Sequence, residues 1–246
     1  MVIIMNSTVP DAYKKLKLPV KESYETLKAN IRLYDFGTNI KTLTITSYRA
    51  GEGKTTTAYN LAVSMAKSGL KVLFVDADLH KPELMKELKG DNNLGLSNLL
   101  LGYAELNEVI NITSIENLNY ISCGVIPINP AVLLGSAEFR ELLATVRDQY
   151  DMVIFDTPPL GSVVDSMIVA SQTDGTIFVI QPGKVRYKNL EMIKEKLQKS
   201  KINLLGVVLN KIPAVDYREY YMDFDYYDSN KKYREWLNKI RKRREK

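Results

Sequence analysis

The sequence predicts an α/β protein: a parallel β-sheet with helices on both faces. Three observations carry the prediction. Short apolar runs of strand length alternate with segments of helical period between residues 41 and 209. The runs at 71–76 and 152–156 are apolar almost throughout, as strands covered on both faces must be. A glycine-rich turn, Gly51–Gly53, joins the first strand to the helix that follows it.

Taken in order, residues 1–20 carry scattered polar residues with Pro10 and Pro19 and read as an extended arm. Residues 21–35 put Tyr24, Leu27, Ile31 and Tyr34 on one helical stripe. Lys41–Ser47 alternates as a strand, and Thr56–Ser68 is a helix ended by Gly69. Lys71–Asp76 is the second strand. Residues 90–136 hold short elements among Asn, Gly and Pro. A helix at Glu138–Gln149, strands at Met152–Asp156, Thr176–Gln181 and Leu204–Leu209, and a helix at Tyr187–Lys199 complete the pattern. The apolar pattern ends near residue 212, so the chain divides into an arm (1–20), a folded domain (21–212), a tyrosine-rich tail (213–233) and a basic terminal segment (234–246). There are no internal repeats.

With 246 residues, 45% of them hydrophobic, the chain can bury one sizeable core. The lone Cys123 cannot form an internal disulfide, which suits a reducing compartment. No apolar run is long enough to span a bilayer, and Met1–Met5 is too short for a signal-peptide core, so a cytoplasmic location is expected. The net charge of +5 is local: residues 231–246 hold nine Lys/Arg and two Glu, which leaves 25 basic and 27 acidic residues elsewhere, a net −2. The body is therefore not a basic nucleic-acid binder, and no nucleic-acid partner is expected. His80 is the single histidine, which leaves no histidine-based metal cluster; the single cysteine disfavours an iron–sulfur carrier.

Ser47-Tyr-Arg-Ala-Gly-Glu-Gly-Lys-Thr55 lies between a strand and a helix, the setting a phosphate-binding loop requires. Gly51, Glu52, Gly53, Lys54, Thr55 and Thr56 form the candidate nucleotide cradle. The glycines let N–H groups turn inward around phosphate, and the helix start adds its positive dipole end. Lys54 can reach the β- and γ-phosphates of ATP, and the Thr55 hydroxyl can ligate Mg2+. Tyr48 stands where the usual pattern begins with glycine. A plain glycine-rich connecting turn is the alternative reading.

Phosphoryl transfer needs a metal beside this loop and a group that orients the nucleophile. One strand ends in Asp76-Ala-Asp78 and another in Asp156-Thr-Pro-Pro159, and ligands in open α/β sheets bind at the carboxyl ends of strands. Asp156 and Asp76, with Thr55, are the candidate Mg2+ ligands; Lys54, Asp76, Asp78 and Asp156 are the candidate catalytic set. Either Asp76 or Asp78 can act as base. Taken singly, an acid after a strand is also a common helix cap.

Six of the 15 tyrosines lie between 217 and 233: Tyr217, Tyr220, Tyr221, Tyr226, Tyr227 and Tyr233. Acidic and polar residues separate them, so no core period accounts for the cluster. It reads as a set of phosphoacceptors or as an adhesive, tyrosine-rich edge. Beyond it, Tyr233, Trp236, Leu237 and Ile240 fall at helical spacing among Lys and Arg. That suits either a basic amphipathic helix on an anionic membrane surface or a solvated charged end.

These pieces together resemble the cytoplasmic domain of the bacterial tyrosine kinases of capsular and exopolysaccharide biosynthesis. The resemblance rests on Gly51–Thr55, on Val75-Asp-Ala-Asp-Leu-His-Lys-Pro82, on Ile154-Phe-Asp-Thr-Pro-Pro159, and on Gly95–Ser97, Pro127–Pro130 and Leu205–Lys211, with the tyrosine cluster beyond them. It implies a P-loop NTPase fold of the deviant Walker (ParA/MinD-like) kind. It also implies an ATP- and Mg2+-dependent protein-tyrosine kinase that phosphorylates itself between subunits of a homo-oligomer. Its activator would be the cytoplasmic segment of a membrane-embedded polysaccharide co-polymerase, which recruits it to the inner face of the cell membrane. By the same resemblance Asn210 contacts adenine. The family's oligomerisation pattern, Glu-x-x-Arg-x-x-Arg, is replaced here by Glu22, Glu25 and Lys28, and Arg49 stands where partition ATPases carry a signature lysine. A switch ATPase of the same fold and a non-catalytic ATP-binding scaffold remain the alternatives.

Overall fold

A computed structural model describes residues 12–34, 39–81 and 94–212. Residues 1–11, Pro82, the six candidate acceptor tyrosines and the basic segment 231–246 lie outside the described residues. The fold belongs to a compact unit, Met1–Asn210.

A short 3-10 turn at Ala12–Lys15 precedes α1 (Leu18–Tyr34) and β1 (Thr42–Ser47). The central βα units follow: α2 (Lys54–Lys67) and β2 (Val72–Asp76). The middle segment supplies α3 (Leu96–Leu100), α4 (Leu106–Val109), β3 (Ile110–Ile112), β4 (Leu118–Ile121) and α5 (Pro130–Leu134). Then come α6 (Ala137–Gln149), β5 (Met152–Asp156), α7 (Asp165–Ala170), β6 (Gly175–Ile180), α8 (Tyr187–Lys199) and β7 (Leu204–Leu209). Strands β3 and β4 and the four short helices are too brief for a periodic signal in the sequence.

The strands form one seven-stranded sheet in the order β3-β4-β2-β5-β1-β6-β7, parallel except where β3 pairs antiparallel with β4. Alternate residues face opposite ways. Val72 and Phe74 of β2 join α2 and Ile31 of α1 in one core; Leu73 and Val75 join α3, α5 and α6 in the other. Helices on both faces are thus the consequence of strands that are apolar on both faces.

Two expectations are corrected. Residues 12–20 are not an extended arm: α1 begins at Leu18, and Pro19 sits in its first turn, where a missing N–H leaves no bond unmade. Tyr13 is buried, its ring centroid 6.2 Å from that of Tyr24 and the Lys67 ammonium 4.8 Å over its face. Helix α2 starts at Lys54 rather than Thr56, because Gly53 takes the left-handed conformation (φ 91°) and turns the chain directly into the helix.

The Asp174 carboxylate joins the start of β1 to α6. It accepts from the N–H of Lys41 (2.9 Å) and Thr42 (2.8 Å) and from Thr42 Oγ1 (2.9 Å), and it pairs with the Arg147 guanidinium. Partial burial pushes its pKa up, but Arg147 and these donors outweigh burial and hold it below the usual carboxylate range. A depressed folded value means stabilisation that is complete above the unfolded pKa and is lost as pH falls through the folded one. Asp174→Asn is therefore expected to lower unfolding free energy by about 2 kcal/mol near neutral pH, and the difference from wild type should shrink below about pH 4. Urea denaturation of both proteins across that range checks this; a gap that does not change with pH would contradict it.

Candidate functional site

Strand register builds the site. Asp76 and Asp156 are partners across β2 and β5, so the two terminal acids stand side by side at one end of the sheet. Strand β1 lies on the other side of β5, and the turn that leaves it passes over the same end before entering α2. Asp76, Asp78 and Asp156 are all buried, none more than 5% exposed. Lys54, at the first position of α2, reaches into them: its Nζ lies 3.2 Å from Asp78 Oδ2, 3.5 Å from Asp156 Oδ1 and 3.2 Å from Thr55 Oγ1.

The electrostatics follow from burial. Burial alone would lower the pKa of Lys54, but the charges of Asp156 and Asp78 outweigh it and raise the value. Burial pushes Asp156 up to about 6, against the pull of Lys54 and Thr55. Asp76 is raised well above the carboxylate range, first by burial and then by the charge of Asp156. One oxygen of Asp76 accepts from the Asp78 N–H (3.2 Å); the other, Oδ2, is buried with no hydrogen-bond partner. Three carboxylates and one ammonium leave an excess of negative charge, and a buried orphan oxygen is unfavourable by about 1–3 kcal/mol. A divalent cation answers both. Among the described residues there is no cluster of three or more His, Cys, Asp or Glu arranged to cage a metal. Mg2+ takes one or two carboxylates together with phosphate and water, and Asp76 and Asp156 stand side by side as two such groups.

The loop itself is braced from behind by groups that sequence reasoning placed differently. Glu52 is buried, and its carboxylate turns inward: Oε2 accepts from the Arg49 N–H (2.8 Å) and Oε1 from the Gln181 N–H (3.4 Å). Its place in the phosphate cradle is therefore as backbone. A carboxylate inside an anion-binding turn must face away from the anion, and that charge argument was available in the sequence. Asn210, expected at adenine, donates its side-chain N–H to the Glu52 carbonyl (2.8 Å), so the end of β7 holds the loop. Gly51 and Gly53 both take positive φ, 80° and 91°.

The turn after β5 is tied to β1 as well. Thr46 Oγ1 donates to Pro158 O (2.9 Å), Thr157 Oγ1 to Ile45 O (3.0 Å), and Gly161 N–H to Tyr48 O (3.1 Å). A Cβ on Gly161 would sit 2.4 Å from Tyr48 O and 3.1 Å from its ring. This explains the tyrosine at the first loop position: its ring has a place because residue 161 has no side chain. His80 bonds Asp165 through Nε2 at 2.8 Å, a contact between the acidic turn and α7.

Glu25, the charge-reversed position of α1, does not face outward as a free acid. It pairs with the buried Lys28 (2.5 Å) and accepts from Ser64 Oγ of α2 (2.6 Å). Cys123 is a buried filler whose thiol is pushed up to about 12 by burial and by Asp76 and Asp78.

The chain shares sequence and fold with known proteins. Residues 40–206 match the family model of an AAA domain. The chain is 37% identical over 193 residues to a protein of Streptococcus agalactiae named tyrosine-protein kinase CpsD, covering 78% of this chain and 83% of that one. It is 39% identical over 199 residues to tyrosine-protein kinase YwqD of Bacillus subtilis, covering 81% and 84%. Among solved structures, the chimerical protein CapA2B2 superposes with a TM-score of 0.78 at 33% identity, over 87% of this chain and 95% of that one. The kinase domain of the Escherichia coli tyrosine kinase ETK gives 0.76 at 29%, over 85% and 84%. The septum site-determining protein MinD of Pyrococcus horikoshii, solved with Mg-ADP, gives 0.59 at 26%, over 73% and 76%.

The brace makes a prediction. Glu52→Ala leaves the Arg49 and Gln181 N–H groups without their acceptor. Affinity for Mg-ATP is expected to fall about tenfold, with a lowered melting temperature. Calorimetric titration and thermal unfolding test it; unchanged affinity would show that the loop keeps its shape without the carboxylate.

Proposed function

The chain belongs to the bacterial protein-tyrosine kinases of the P-loop NTPase superfamily, and from that premise we propose that it transfers the γ-phosphoryl group of ATP to Tyr217, Tyr220, Tyr221, Tyr226, Tyr227 and Tyr233 of neighbouring copies. The observation that carries the reading is the Lys54 ammonium set among Asp78, Asp156 and Thr55, beside the unpartnered oxygen of Asp76.

The chemistry divides among these groups. Thr55, Asp76 and Asp156 would hold Mg2+, which when bound draws charge from the phosphate oxygens. N–H groups of the Gly51–Thr56 turn bind the phosphates, and Lys54 neutralises charge that develops as the bond between the β,γ-bridging oxygen and the γ-phosphorus breaks. The tyrosine oxygen forms the new bond to that phosphorus; its proton passes to a carboxylate and then to water, leaving ADP and phosphotyrosine. The base is Asp76 or Asp78: Asp78 accepts from Lys54 and from the Lys81 N–H (3.1 Å), while Asp76 accepts from the Asp78 N–H through one oxygen and would give the other to the metal. Asn210 contributes to nucleotide binding by fixing the loop at Glu52; a further contact with adenine belongs to the same proposal.

We extend to this chain a role in capsule and exopolysaccharide synthesis and export, which its resemblance to the tyrosine kinases of that biosynthesis supports. Added phosphate would charge each tail strongly negative and separate assembled copies. The partner would be the cytoplasmic segment of a membrane-embedded polysaccharide co-polymerase, which would bring the protein to the inner face of the membrane. No helix among the described residues is long and apolar enough to cross a membrane. The basic segment 231–246 would add contact with anionic lipid.

Two experiments test the proposal. Mass-spectrometric mapping after incubation with Mg-ATP, with and without the activator segment, is expected to find phosphate on Tyr217–Tyr233 in wild type. In Lys54→Met it should be at least about a hundredfold reduced. ATP hydrolysis with unmodified tails would instead indicate a switch ATPase. In the second, the chain is expected to co-sediment with anionic liposomes, and deletion of residues 231–246 should abolish this; equal sedimentation of both forms would remove the lipid contact.

A further inference from the structure

A cavity of about 370 Å³ opens beside the phosphate loop, lined by Arg49, Gly183, Lys184, Val185, Arg186 and Asn189. Three of its six residues are cations, and none carries an ion pair to a carboxylate among the described residues. Arg49 is held over the Tyr48 ring at 5.5 Å, which fixes one wall. Lys184 and Arg186 lie on the turn between β6 and α8, whose first turn has no acidic residue and whose N-cap makes no side-chain bond. Unpaired cations gathered around a concave space adjoining a phosphoryl-transfer centre call for an anionic substrate. The nucleotide has its own set of binding groups, at Gly51–Thr56 and the aspartates, and does not account for these three.

The sequence holds one segment with complementary chemistry. Residues 216–228 contain five acids (Asp216, Glu219, Asp223, Asp225 and Asp228), one arginine and five tyrosines, a net charge of −4. We infer that the cavity between Arg49 and the 183–189 turn docks this acidic tyrosine segment of a second copy of the chain and presents its tyrosines to the transfer centre. The inference rests on the proposed kinase reading and adds the recognition element: acidic residues flanking each tyrosine pair with Arg49, Lys184 and Arg186, so that substrate selection depends on charge beside the tyrosine. Exposed cations with water on one side steer and select more than they bind tightly, so the effect belongs to peptide affinity and its salt dependence.

The test uses the full chain and a synthetic peptide of residues 214–230. Binding of a labelled peptide with every tyrosine replaced by phenylalanine is measured by fluorescence anisotropy, and phosphorylation of the tyrosine peptide is measured with ATP saturating. The double variant Lys184→Gln, Arg186→Gln is expected to weaken peptide binding and raise peptide KM about tenfold, with KM for ATP and kcat at saturating peptide unchanged. A peptide carrying the five acids as their amides should lose affinity for wild type to a similar degree and be nearly insensitive to the variant. Equal binding of the acidic peptide to wild type and variant would overturn the inference while leaving the kinase reading intact, because the tails would still be phosphorylated. A matching loss of ATP affinity would overturn it by reassigning the cavity to nucleotide. Both side chains are exposed, and thermal unfolding at the wild-type temperature confirms that the variant is folded.

Discussion

Asp76, Asp78 and Asp156 are buried together at the ends of two neighbouring strands, and the Lys54 ammonium stands among them at 3.2–3.5 Å from two of the three. Charges 4 Å apart interact by about 4 kcal/mol at an effective dielectric of 20. Without the lysine the carboxylates would repel one another across a space that water barely enters. This balance constrains much of the rest. Parallel pairing must place Asp76 opposite Asp156, the loop must deliver Lys54 into the cluster, and the helix must begin at that residue. The balance is also incomplete, because Asp76 keeps an unpartnered oxygen. A site short of positive charge and open to phosphate suits a magnesium–nucleotide complex better than either component alone.

Around this centre the chain gives its polar side chains to bracing. Glu52 fastens the loop to the end of β6, Asn210 fastens it to the end of β7, and Gly161 makes room for Tyr48. A phosphate cradle acts through backbone N–H groups, which must be aimed before the ligand arrives; fixed dipoles need no reorganisation during transfer. The proposed acceptor recognition lies elsewhere, at a cationic cavity that shares only Arg49 with the loop sequence.

Where the sequence was legible, the signal was local. Gly-Glu-Gly-Lys-Thr between a strand and a helix, and apolar runs ending in Asp76 and Asp156, need only neighbours in the chain to be read. What escaped were pairings over long separations. Nothing near Asn210 says that its amide lies on Glu52, and nothing near Glu25 says that Ser64 donates to it. Strands β3 and β4 were missed because three or four residues are too few to establish a period. The start of α1 was missed because Pro19 reads as a breaker unless it falls in a first turn.

The sequence by itself determined the fold class, the phosphate loop and the strand-end acids that gather beside it, because strand periodicity, glycine placement and the burial of apolar runs are set by covalent chemistry and the hydrophobic effect acting locally. Tertiary structure alone decided how those acids share one ammonium, which oxygen is left without a partner, and which side chains brace the loop rather than touch its ligand. Those outcomes depend on strand order and register, and residues 24, 102 and 158 positions apart meet only when the sheet has closed.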